Sequence, residues 1–328
     1  MSRKTILITG GAGYIGSSTA YFLKQEGFEP IILDNFSTSH RPKNFLFSTY
    51  EVDLTKYEEL SSIFTKLPKI YAVFHFAAKA LVPESTEKAW DYFHNNINAT
   101  LNIAECAKDF SVPYFIHSST CAVYGTPKTI PIKETSLLLP ETPYGQSKLA
   151  SENVLQQYSK WKNLRVLNLR YFNPAGAFPN SGLGELHQPE THLIPNLVIS
   201  LIQNIPFKIF GNDYSTPDGT CIRDFIHIRD LAKAHLLALN YLEKQPQVTC
   251  ETLNIGRGKG ISVHEVIQVA EKILRVKAKI EFHPRRPGDP SELVADTSEM
   301  KSKFLWTPQF SLENMIEDHW NFIQGRLS

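Results

Sequence analysis

Residues 5–16 read TILITGGAGYIG, an apolar run that passes directly into a glycine-rich turn. The apolar run predicts a buried strand, and residues 14–25 predict a helix with an apolar face. Glycines between a strand and a helix let the backbone approach a pyrophosphate at the helix N-terminus, where free N–H groups and the helix dipole favour anions. The turn therefore indicates a dinucleotide-binding site. Its glycines fit two motif frames, Gly10/Gly13/Gly16 and Gly11/Gly13/Gly16.

A carboxylate stands at the end of the next predicted strand. Asp34 follows the strand predicted over residues 30–33, eighteen residues after Gly16. A carboxylate at this place accepts hydrogen bonds from the adenosine ribose hydroxyls and repels a 2′-phosphate. The sequence therefore favours NAD over NADP. The alternative is a strand-end aspartate that only caps a loop.

Strand and helix patterns alternate through the first half of the chain. Further strands are predicted over residues 72–76, 114–117 and 165–169, and further helices over 57–66, 88–108 and 145–161. Such alternation is typical of an α/β fold with a Rossmann-like, doubly wound parallel sheet and right-handed crossovers. Ligands bind such sheets at the carboxyl ends of the strands.

The pattern changes after Asn173. A stretch rich in proline, glycine and polar residues covers 174–189, and shorter elements follow, namely helices over 193–203, 230–242 and 263–274 and a strand over 208–210. We predict an NAD-binding domain over residues 1–173 and a smaller α/β substrate-binding domain over 174–328. We expect the chain to cross back to the first domain around residues 223–256.

The composition narrows the range of partners and compartments. The 328 residues include 34 Lys and Arg against 33 Asp and Glu, a formal charge of +1, so neither nucleic acid nor an anionic membrane is expected as a partner. The four cysteines show no metal-site spacing and predict free thiols rather than disulfides or a metal site. No apolar segment approaches the ~20 residues that span a bilayer. We expect a soluble, cytoplasmic protein.

A tyrosine and a lysine share a helix face at the start of the helix predicted over 145–161. Tyr144 and Lys148 lie four residues apart after Pro143, which suits a first helical turn. An ammonium beside a phenol favours the phenolate and lowers the phenol pKa toward the operating pH. Two other Tyr–Lys pairs have the same spacing, but neither stands at a helix start. The hydroxyls of Ser118, Ser119 and Thr120 follow the strand predicted over 114–117 and would face the same cleft.

These residues, together with motifs along nearly the whole chain, resemble the extended short-chain dehydrogenase/reductase (NAD-dependent epimerase/dehydratase) family. The motifs comprise the glycine turn, Asp34-Asn35, Phe76-Ala77-Ala78, Asn95-Asn96, Ser118–Gly125, Tyr144 to Lys148, Arg170–Pro174, Phe210–Tyr214, Arg223–His227 and Arg285-Arg286. Within the family the match is to UDP-sugar 4-epimerases. The resemblance implies that UDP-glucose and UDP-galactose interconvert by hydride transfer from sugar C4 to bound NAD⁺, rotation of the 4-keto intermediate and hydride return.

The resemblance also implies roles for individual residues. Tyr144, Lys148 and Thr120 would be catalytic, with Tyr144 as the base and Lys148 lowering its pKa. Cofactor contacts would come from Gly10, Gly13, Tyr14, Ile15, Gly16, Asp34, Asn35, Ser39, Asp53, Leu54, Phe76, Ala77, Ala78, Asn95, Ser118, Tyr144, Lys148 and Phe172. Substrate contacts would come from Thr120, Tyr144, Asn173, Leu193, Phe210, Arg223, Arg286, Asp289 and Leu293. Two arginines suit a diphosphate, and Phe210 suits a uracil face.

Some choices stay open at this stage. Cys121-Ala122 replaces the acidic pair of relatives that eliminate water, which disfavours dehydration. Leu293 is intermediate in size, so UDP-N-acetylglucosamine remains an alternative substrate, as do UDP-glucuronate and UDP-xylose. A non-catalytic NAD-binding protein is the remaining alternative class. The helices predicted over 88–108 and 145–161 could form a homodimer interface, or their apolar positions could be used within one subunit.

Overall fold

A computed structural model describes residues 3–39, 47–187, 189–286 and 288–327. Its strands are β1 (Thr5–Thr9), β2 (Glu29–Asp34), β3 (Ser48–Glu51), β4 (Ile70–His75), β5 (Tyr114–Thr120), β6 (Arg165–Tyr171), β7 (Asn173–Ala175), β8 (Ala177–Phe178), β9 (Leu183–Gly184), β10 (Phe207–Phe210), β11 (Ile222–His227), β12 (Cys250–Ile255), β13 (Gly260–Ser262), β14 (Ile280–His283) and β15 (Glu292–Leu293). Its helices are α1 (Tyr14–Gln25), α2 (Tyr57–Phe64), α3 (Val82–Glu87), α4 (Ala89–Asp109), α5 (Pro143–Lys162), α6 (Leu193–Gln203), α7 (Ile228–Lys244), α8 (Val263–Leu274), α9 (Ser298–Phe304) and α10 (Leu312–Leu327).

The described chain divides into two compact units that interleave along the sequence. Unit 1 comprises Met1–Tyr124, Leu138–Arg170 and Ala232–Leu253. Unit 2 comprises Gly125–Leu137, Tyr171–Leu231 and Asn254–Ser328. The chain therefore leaves unit 1 briefly after Tyr124 and again at the end of β6, returns to it within α7 and leaves it a last time within β12. The assignment of an NAD-binding and a substrate-binding domain remains a prediction.

The seven-stranded sheet has the order β12-β6-β5-β4-β1-β2-β3. The pairs from β5 through β4, β1 and β2 to β3 are all parallel. Leu7, Leu33, Val73, Phe115 and Val166 lie one on each of five adjacent strands, and each is fully buried in one apolar cluster. Burial of a side chain of this size contributes about 1.5–3 kcal/mol, so this cluster is a principal source of stability in unit 1. The predicted Rossmann-like parallel sheet is confirmed.

Unit 2 has smaller sheets around its own core. The central strand β11 pairs with β13 in the antiparallel sense and with β15 and β7 in the parallel sense. Strand β10 pairs in parallel with β14, and β8 pairs in antiparallel with β9. A second apolar cluster contains residues of α6, α8 and α10, among them Leu197, Val266 and Met315, all fully buried. These contacts hold α6, α8 and α10 together.

Several predicted elements keep their bounds and others change. The strand over residues 5–9 and the helices over 14–25, 193–203 and 263–274 are found with the predicted ends. Strand β5 runs on to Thr120, so Ser118 and Ser119 belong to the strand rather than following it. Strands β3 and β12 were not expected, and β12 joins the sheet from a distant part of the chain. Among the described helices, each is too short or too polar to cross a bilayer.

Candidate functional site

The turn after β1 leaves no space for side chains at two of its glycines. Gly10 has φ +66°, and a Cβ there would lie 2.6 Å from the backbone nitrogen of Ala77. A Cβ on Gly16 would lie 2.3 Å from the carbonyl oxygen of Gly10. Both distances are impossible for real atoms, so β1, the turn and the start of α1 pack backbone against backbone. Gly13 is the N-cap of α1 and supplies no side-chain cap, which leaves helix N–H groups free for an anion.

Asp34 is bound to this turn. Its Oδ2 accepts a hydrogen bond from the Ala12 N–H at 2.9 Å, and its Oδ1 accepts one from the Phe36 N–H at 2.8 Å. The Ser39 hydroxyl also donates to Oδ1, at 3.4 Å. Burial raises the pKa of the Asp34 carboxyl, although these hydrogen bonds oppose the rise. Asp34 thus does cap the turn, and its remaining lone pairs are the ones available for ribose hydroxyls.

Some of the other predicted cofactor residues of unit 1 lie at the ends of the strands, and others have side chains engaged in local hydrogen bonds. Phe76 and Ala77 follow β4 beside the turn, where Ala77 N–H lies 3.4 Å from the hydroxyl of Thr9 and the Phe76 ring lies 4.8 Å from that of His235. Leu54 is buried, and its carbonyl accepts a hydrogen bond at 2.8 Å from Asn102 on α4. These residues form the walls around the carboxyl ends of β1, β2 and β4.

Three further predicted cofactor residues have side chains engaged locally. Asn35 Oδ1 accepts from Ser37 at 2.8 Å, and Asp53 Oδ1 accepts from Thr55 at 2.8 Å. Asn95 donates to Asn96 Oδ1 at 3.0 Å. Tyr14 and Ile15 open α1 directly after the turn, and Ala78 follows Ala77. Cofactor contact by Asn35, Asp53 or Asn95 therefore uses the polar atoms that these local bonds leave over.

Tyr144 stands in the first turn of α5, and a glycine brings that turn close to the end of β5. The Thr142 hydroxyl caps the helix by accepting from the Gly145 N–H at 3.2 Å. A Cβ on Gly145 would lie only 2.7 Å from the carbonyl oxygen of Ala122, in the short helical turn that follows β5. This close approach brings Tyr144 beside Thr120, whose hydroxyl acts to lower the pKa of the phenol.

The Tyr144 phenol is harder to ionise than a free phenol in this structure. Burial raises the pKa of Tyr144 to about 12, against which the Thr120 hydroxyl acts in the opposite direction. Lys148 is not among the groups that shift this pKa. The predicted lowering of the Tyr144 pKa by Lys148 stays a prediction, and in this structure the Lys148 ammonium contacts a different partner.

That partner is His117 on β5, a residue that the sequence analysis did not single out. His117 is fully buried, with Nδ1 at 3.0 Å from Asn168 Oδ1 and Nε2 at 3.3 Å from Lys148 Nζ. Asn168 Nδ2 donates to Thr252 at 3.3 Å, so its Oδ1 is the acceptor and His117 Nδ1 carries the proton. His117 Nε2 is then a lone-pair acceptor that orients the Lys148 ammonium. Burial and the charge of Lys148 hold the pKa of His117 well below its ordinary value.

Lys148 is itself buried, and burial lowers its pKa to about 8, although the charge of Glu152 acts to raise it. Glu152 lies one helical turn further along α5 and pairs with Arg170 on β6, with Arg170 Nη2 to Glu152 Oε2 at 2.6 Å and Arg170 Nε to Oε1 at 2.9 Å. Ser119 on β5 also donates to Glu152. Lys148 and Glu152 lie four residues apart, and this helical spacing is the sequence signal that places Glu152 near Lys148.

Asn96 is a further residue of the site to which the sequence analysis gave no role, since it quoted Asn96 only as part of a motif. It is 1% exposed on α4, and its Nδ2 donates to Ser147 Oγ at 3.0 Å. Its Oδ1 accepts from the Lys79 N–H at 2.8 Å. Asn96 therefore ties α5, next to Tyr144, to the segment after β4.

Unit 2 brings four of the predicted substrate residues into two contacts. Arg223 on β11 is 9% exposed and pairs with Asp289. The Arg286 guanidinium lies 4.0 Å above the ring of Phe210, at the end of β10. The guanidinium of Arg286 thus covers one face of the Phe210 ring. Arg223 pairs with a carboxylate, whereas the sequence analysis predicts that it contacts a phosphate.

The remaining predicted substrate residues of unit 2 lie at element ends. Asn173 begins β7, and its Oδ1 is buried without a hydrogen-bond partner among the described residues. Leu193 begins α6, and Leu293 ends β15, where it is buried opposite Arg223 in the β11–β15 register. Phe172 is also buried in this unit. The unpaired oxygen of Asn173 is an acceptor that a ligand donor would satisfy.

Comparisons with known proteins identify the family of this chain. The NAD dependent epimerase/dehydratase family matches residues 6–256. Over 319 residues the chain is 42% identical to a UDP-glucose 4-epimerase of Halalkalibacterium halodurans, which spans 97% of this chain and 95% of that protein. A UDP-glucose 4-epimerase structure from Brucella ovis, in complex with NAD, has TM-score 0.91 and 36% identity, covering 97% of this chain and 98% of that one. A Bifidobacterium longum structure, in complex with NAD⁺ and UDP, has TM-score 0.91, 32% identity and 99% coverage of both chains.

Replacement of Gly145 by alanine should disturb the contact between α5 and β5. We expect Gly145→Ala to lower the free energy of unfolding by about 1–3 kcal/mol, because the new Cβ would overlap the Ala122 carbonyl and the Pro140 side chain. The matched control is Gly325→Ala in α10, where no atom lies within 4 Å of the new Cβ. Urea unfolding of both variants checks this, and equal midpoints would contradict the close approach.

Proposed function

The chain belongs to the NAD dependent epimerase/dehydratase family, and we propose that it is a UDP-glucose 4-epimerase, which interconverts UDP-galactose and UDP-glucose. The observation that carries this proposal is that Tyr144 lies beside Thr120 in the same unit as the glycine turn. Relatives with this name match over nearly the full chain. The uncharged Cys121 and Ala122 after Thr120 fit an epimerase better than a dehydratase, since elimination needs an acid and a base there.

The residues of unit 1 fit NAD. Gly10 and Gly16 leave the backbone bare at the α1 N-terminus for the pyrophosphate, and Asp34 offers acceptors for the adenosine ribose. Lys148 has two further N–H donors beyond its bond to His117, which suit the nicotinamide ribose. When bound, NAD⁺ provides the hydride acceptor for sugar C4 and a positive charge near the phenol.

Tyr144 is proposed to take the proton of the sugar 4-hydroxyl and to return it after the sugar has turned. With a pKa of about 12 in the protein alone, the phenol keeps its proton near neutral pH, so it needs positive charge nearby to act as a base. Lys148 is the nearest cation on the same helix face. Thr120 lies beside the same oxygen and acts to lower its pKa. The protein alone thus holds the Tyr144 phenol protonated, and bound ligands are proposed to activate it.

Unit 2 is proposed to bind the nucleotide. Arg223 and Arg286 are the charges for the diphosphate, and the Phe210 ring offers a face for uracil. A diphosphate would compete with Asp289 for Arg223, because both present oxygen anions to one guanidinium. Binding through the nucleotide leaves the sugar free to turn, as epimerisation requires.

Removal of the Tyr144 hydroxyl tests the base. Tyr144→Phe should lower kcat for UDP-galactose by about 100-fold or more, because general-base catalysis at this oxygen is lost. NAD released on denaturation should match that of the parent enzyme. The matched control is Tyr158→Phe on the same helix, whose hydroxyl bonds Glu105 at 2.5 Å and which should keep activity within a few-fold. Near-parental turnover of Tyr144→Phe would refute the assignment.

Two adjacent arginines allow a matched test of diphosphate binding. Arg286→Gln should raise KM for UDP-galactose by about 10–100-fold, since a hydrogen bond to a charged group contributes about 1.5–3 kcal/mol. Arg285→Gln is the control, because Arg285 bonds Asp213 at 2.7 Å instead and should change KM much less. Steady-state kinetics decide between them, and equal effects of both substitutions would contradict the proposed role.

We further propose a homodimer formed through α4 and α5. These helices carry the exposed apolar side chains Trp90, Phe93, Leu101 and Trp161, of which the two tryptophans are 70% and 67% exposed. Exposed apolar groups of this size are typical of interfaces.

Four free cysteines fit the reducing cytoplasm as the location, which cell fractionation would check.

Light scattering tests the assembly. The chain mass is 37.2 kDa, so the parent protein should scatter with twice this mass. Leu101→Glu should shift it toward the monomer, because a carboxylate would be buried unpaired in the interface. Leu137→Glu, at a side chain that is 64% exposed in unit 2, should leave the mass unchanged. A monomeric parent would overturn the proposal.

A further inference from the structure

Four side chains of metal-ligand type meet in the loop between β9 and α6. Glu185, His187, Glu190 and His192 each offer one nitrogen or oxygen atom, and these four atoms all lie within 4.8 Å of one another. The sequence analysis expected no metal site, because it examined cysteine-based spacings. The cluster belongs to unit 2. It consists of carboxylates and imidazoles, whereas the proposed nucleotide residues are two arginines and an aromatic ring.

Four nitrogen–oxygen distances in the cluster, which involve both oxygens of Glu190, are close to those between two ligands of one small cation. His187 Nδ1 lies 3.5 Å from Glu185 Oε1 and 3.7 Å from Glu190 Oε2. His192 Nδ1 lies 2.9 Å from Glu185 Oε1 and 3.4 Å from Glu190 Oε1. Tetrahedral zinc with bonds of about 2.0–2.2 Å places its ligand atoms about 3.3–3.6 Å apart. Three of the four separations lie within ~0.2 Å of this range, and the shortest would open by ~0.4 Å.

Two polar atoms in the cluster lack the partner that burial demands. Glu185 is 3% exposed, and its Oε2 has no hydrogen-bond partner among the described residues. His187 Nδ1 is buried and likewise unpaired. Buried polar atoms are almost always satisfied, and a carboxylate oxygen is especially costly to leave alone. A cation would bind His187 Nδ1 directly and would neutralise the charge that the buried Glu185 carboxylate carries.

The remaining ligands are held in place by the backbone. The Glu190 carboxylate accepts N–H bonds from His187 at 3.0 Å, from Thr191 at 2.8 Å and from His192 at 2.9 Å. Such outer bonds orient ligands in metal sites. His192 is the N-cap residue of α6 and makes no side-chain cap bond, so its ring faces the two carboxylates and not the N–H groups of the helix.

Protonated histidines are the competing account of the same contacts. In that case Nδ1 of each ring would donate to a carboxylate, and the charge of Glu185 raises the pKa of His192 to about 10. His187 does not fit this account as well, because its Nδ1 has no acceptor at hydrogen-bonding geometry. A proton and a metal ion would compete for the same nitrogen atoms.

We propose that Glu185, His187, Glu190 and His192 bind one divalent transition-metal ion, with zinc favoured by two imidazoles and two carboxylates in four-coordinate geometry. All four positions are filled by protein, so the site is structural rather than catalytic. The ion would link the end of β9 to the start of α6, where Leu193 follows His192 directly. The site thereby fixes the N-terminus of α6.

Metal analysis of the purified enzyme tests the proposal. Protein expressed with zinc and purified without chelators should contain about one zinc ion per chain by mass spectrometry. His187→Ala and Glu185→Gln should lose most of it, and His94→Ala, which changes an exposed histidine of α4, should retain it. A zinc content near zero in the parent, or one unaffected by both substitutions, would overturn the proposal.

A second measurement needs no variant. Parent protein stripped with EDTA should gain about 3 °C or more in Tm when one equivalent of Zn²⁺ is added, whereas Mg²⁺ at the same concentration should change Tm little. X-ray absorption of the zinc-loaded protein should show nitrogen and oxygen ligands, including imidazole, at about 2.0–2.1 Å. An unchanged Tm with zinc, or a sulfur shell, would contradict the site. Epimerase activity enters neither readout, so this proposal can fail independently of the proposed function.

Discussion

The buried ion pair of Glu152 and Arg170 holds helix α5 to the sheet. Both side chains are almost fully buried, and the guanidinium makes two bonds to the carboxylate while it also donates to the Tyr124 hydroxyl at 2.9 Å. Loss of one partner of such a pair costs about 3–5 kcal/mol, because the other charge is left unpaired. The pair joins α5, β6 and the turn after β5, so the positions of Tyr144 and Lys148 both depend on it.

From this anchor the electrostatics of the site follow. Helix α5 places Lys148 in a buried position, where burial lowers the pKa of Lys148 to about 8. Its ammonium donates a hydrogen bond to His117 Nε2. The same packing places Tyr144 against Thr120 and raises the phenol pKa to about 12. We therefore expect the Tyr144 phenol to keep its proton until positive charge lies beside it.

Local patterns allowed much of this structure to be predicted. The glycine turn, α1, α6 and α8 depend on sequence neighbours, and their ends were predicted correctly. Strand β12 was missed because it joins β6 from a distant part of the chain. The partner of Lys148 was missed for a similar reason: helical spacing points to Tyr144, whereas His117 becomes its neighbour only through packing of α5 on β5. The four metal-type ligands are close in sequence, but their convergence depends on the loop path.

The central claim is that hydrogen leaves sugar C4 and returns to it within one active site that retains its cofactor. The most direct measurement is conversion of UDP-galactose that carries deuterium at sugar C4, in ordinary water and without added NAD. The account predicts UDP-glucose that keeps the deuterium at C4. Loss of the label to water, or turnover only with added NAD, would contradict it.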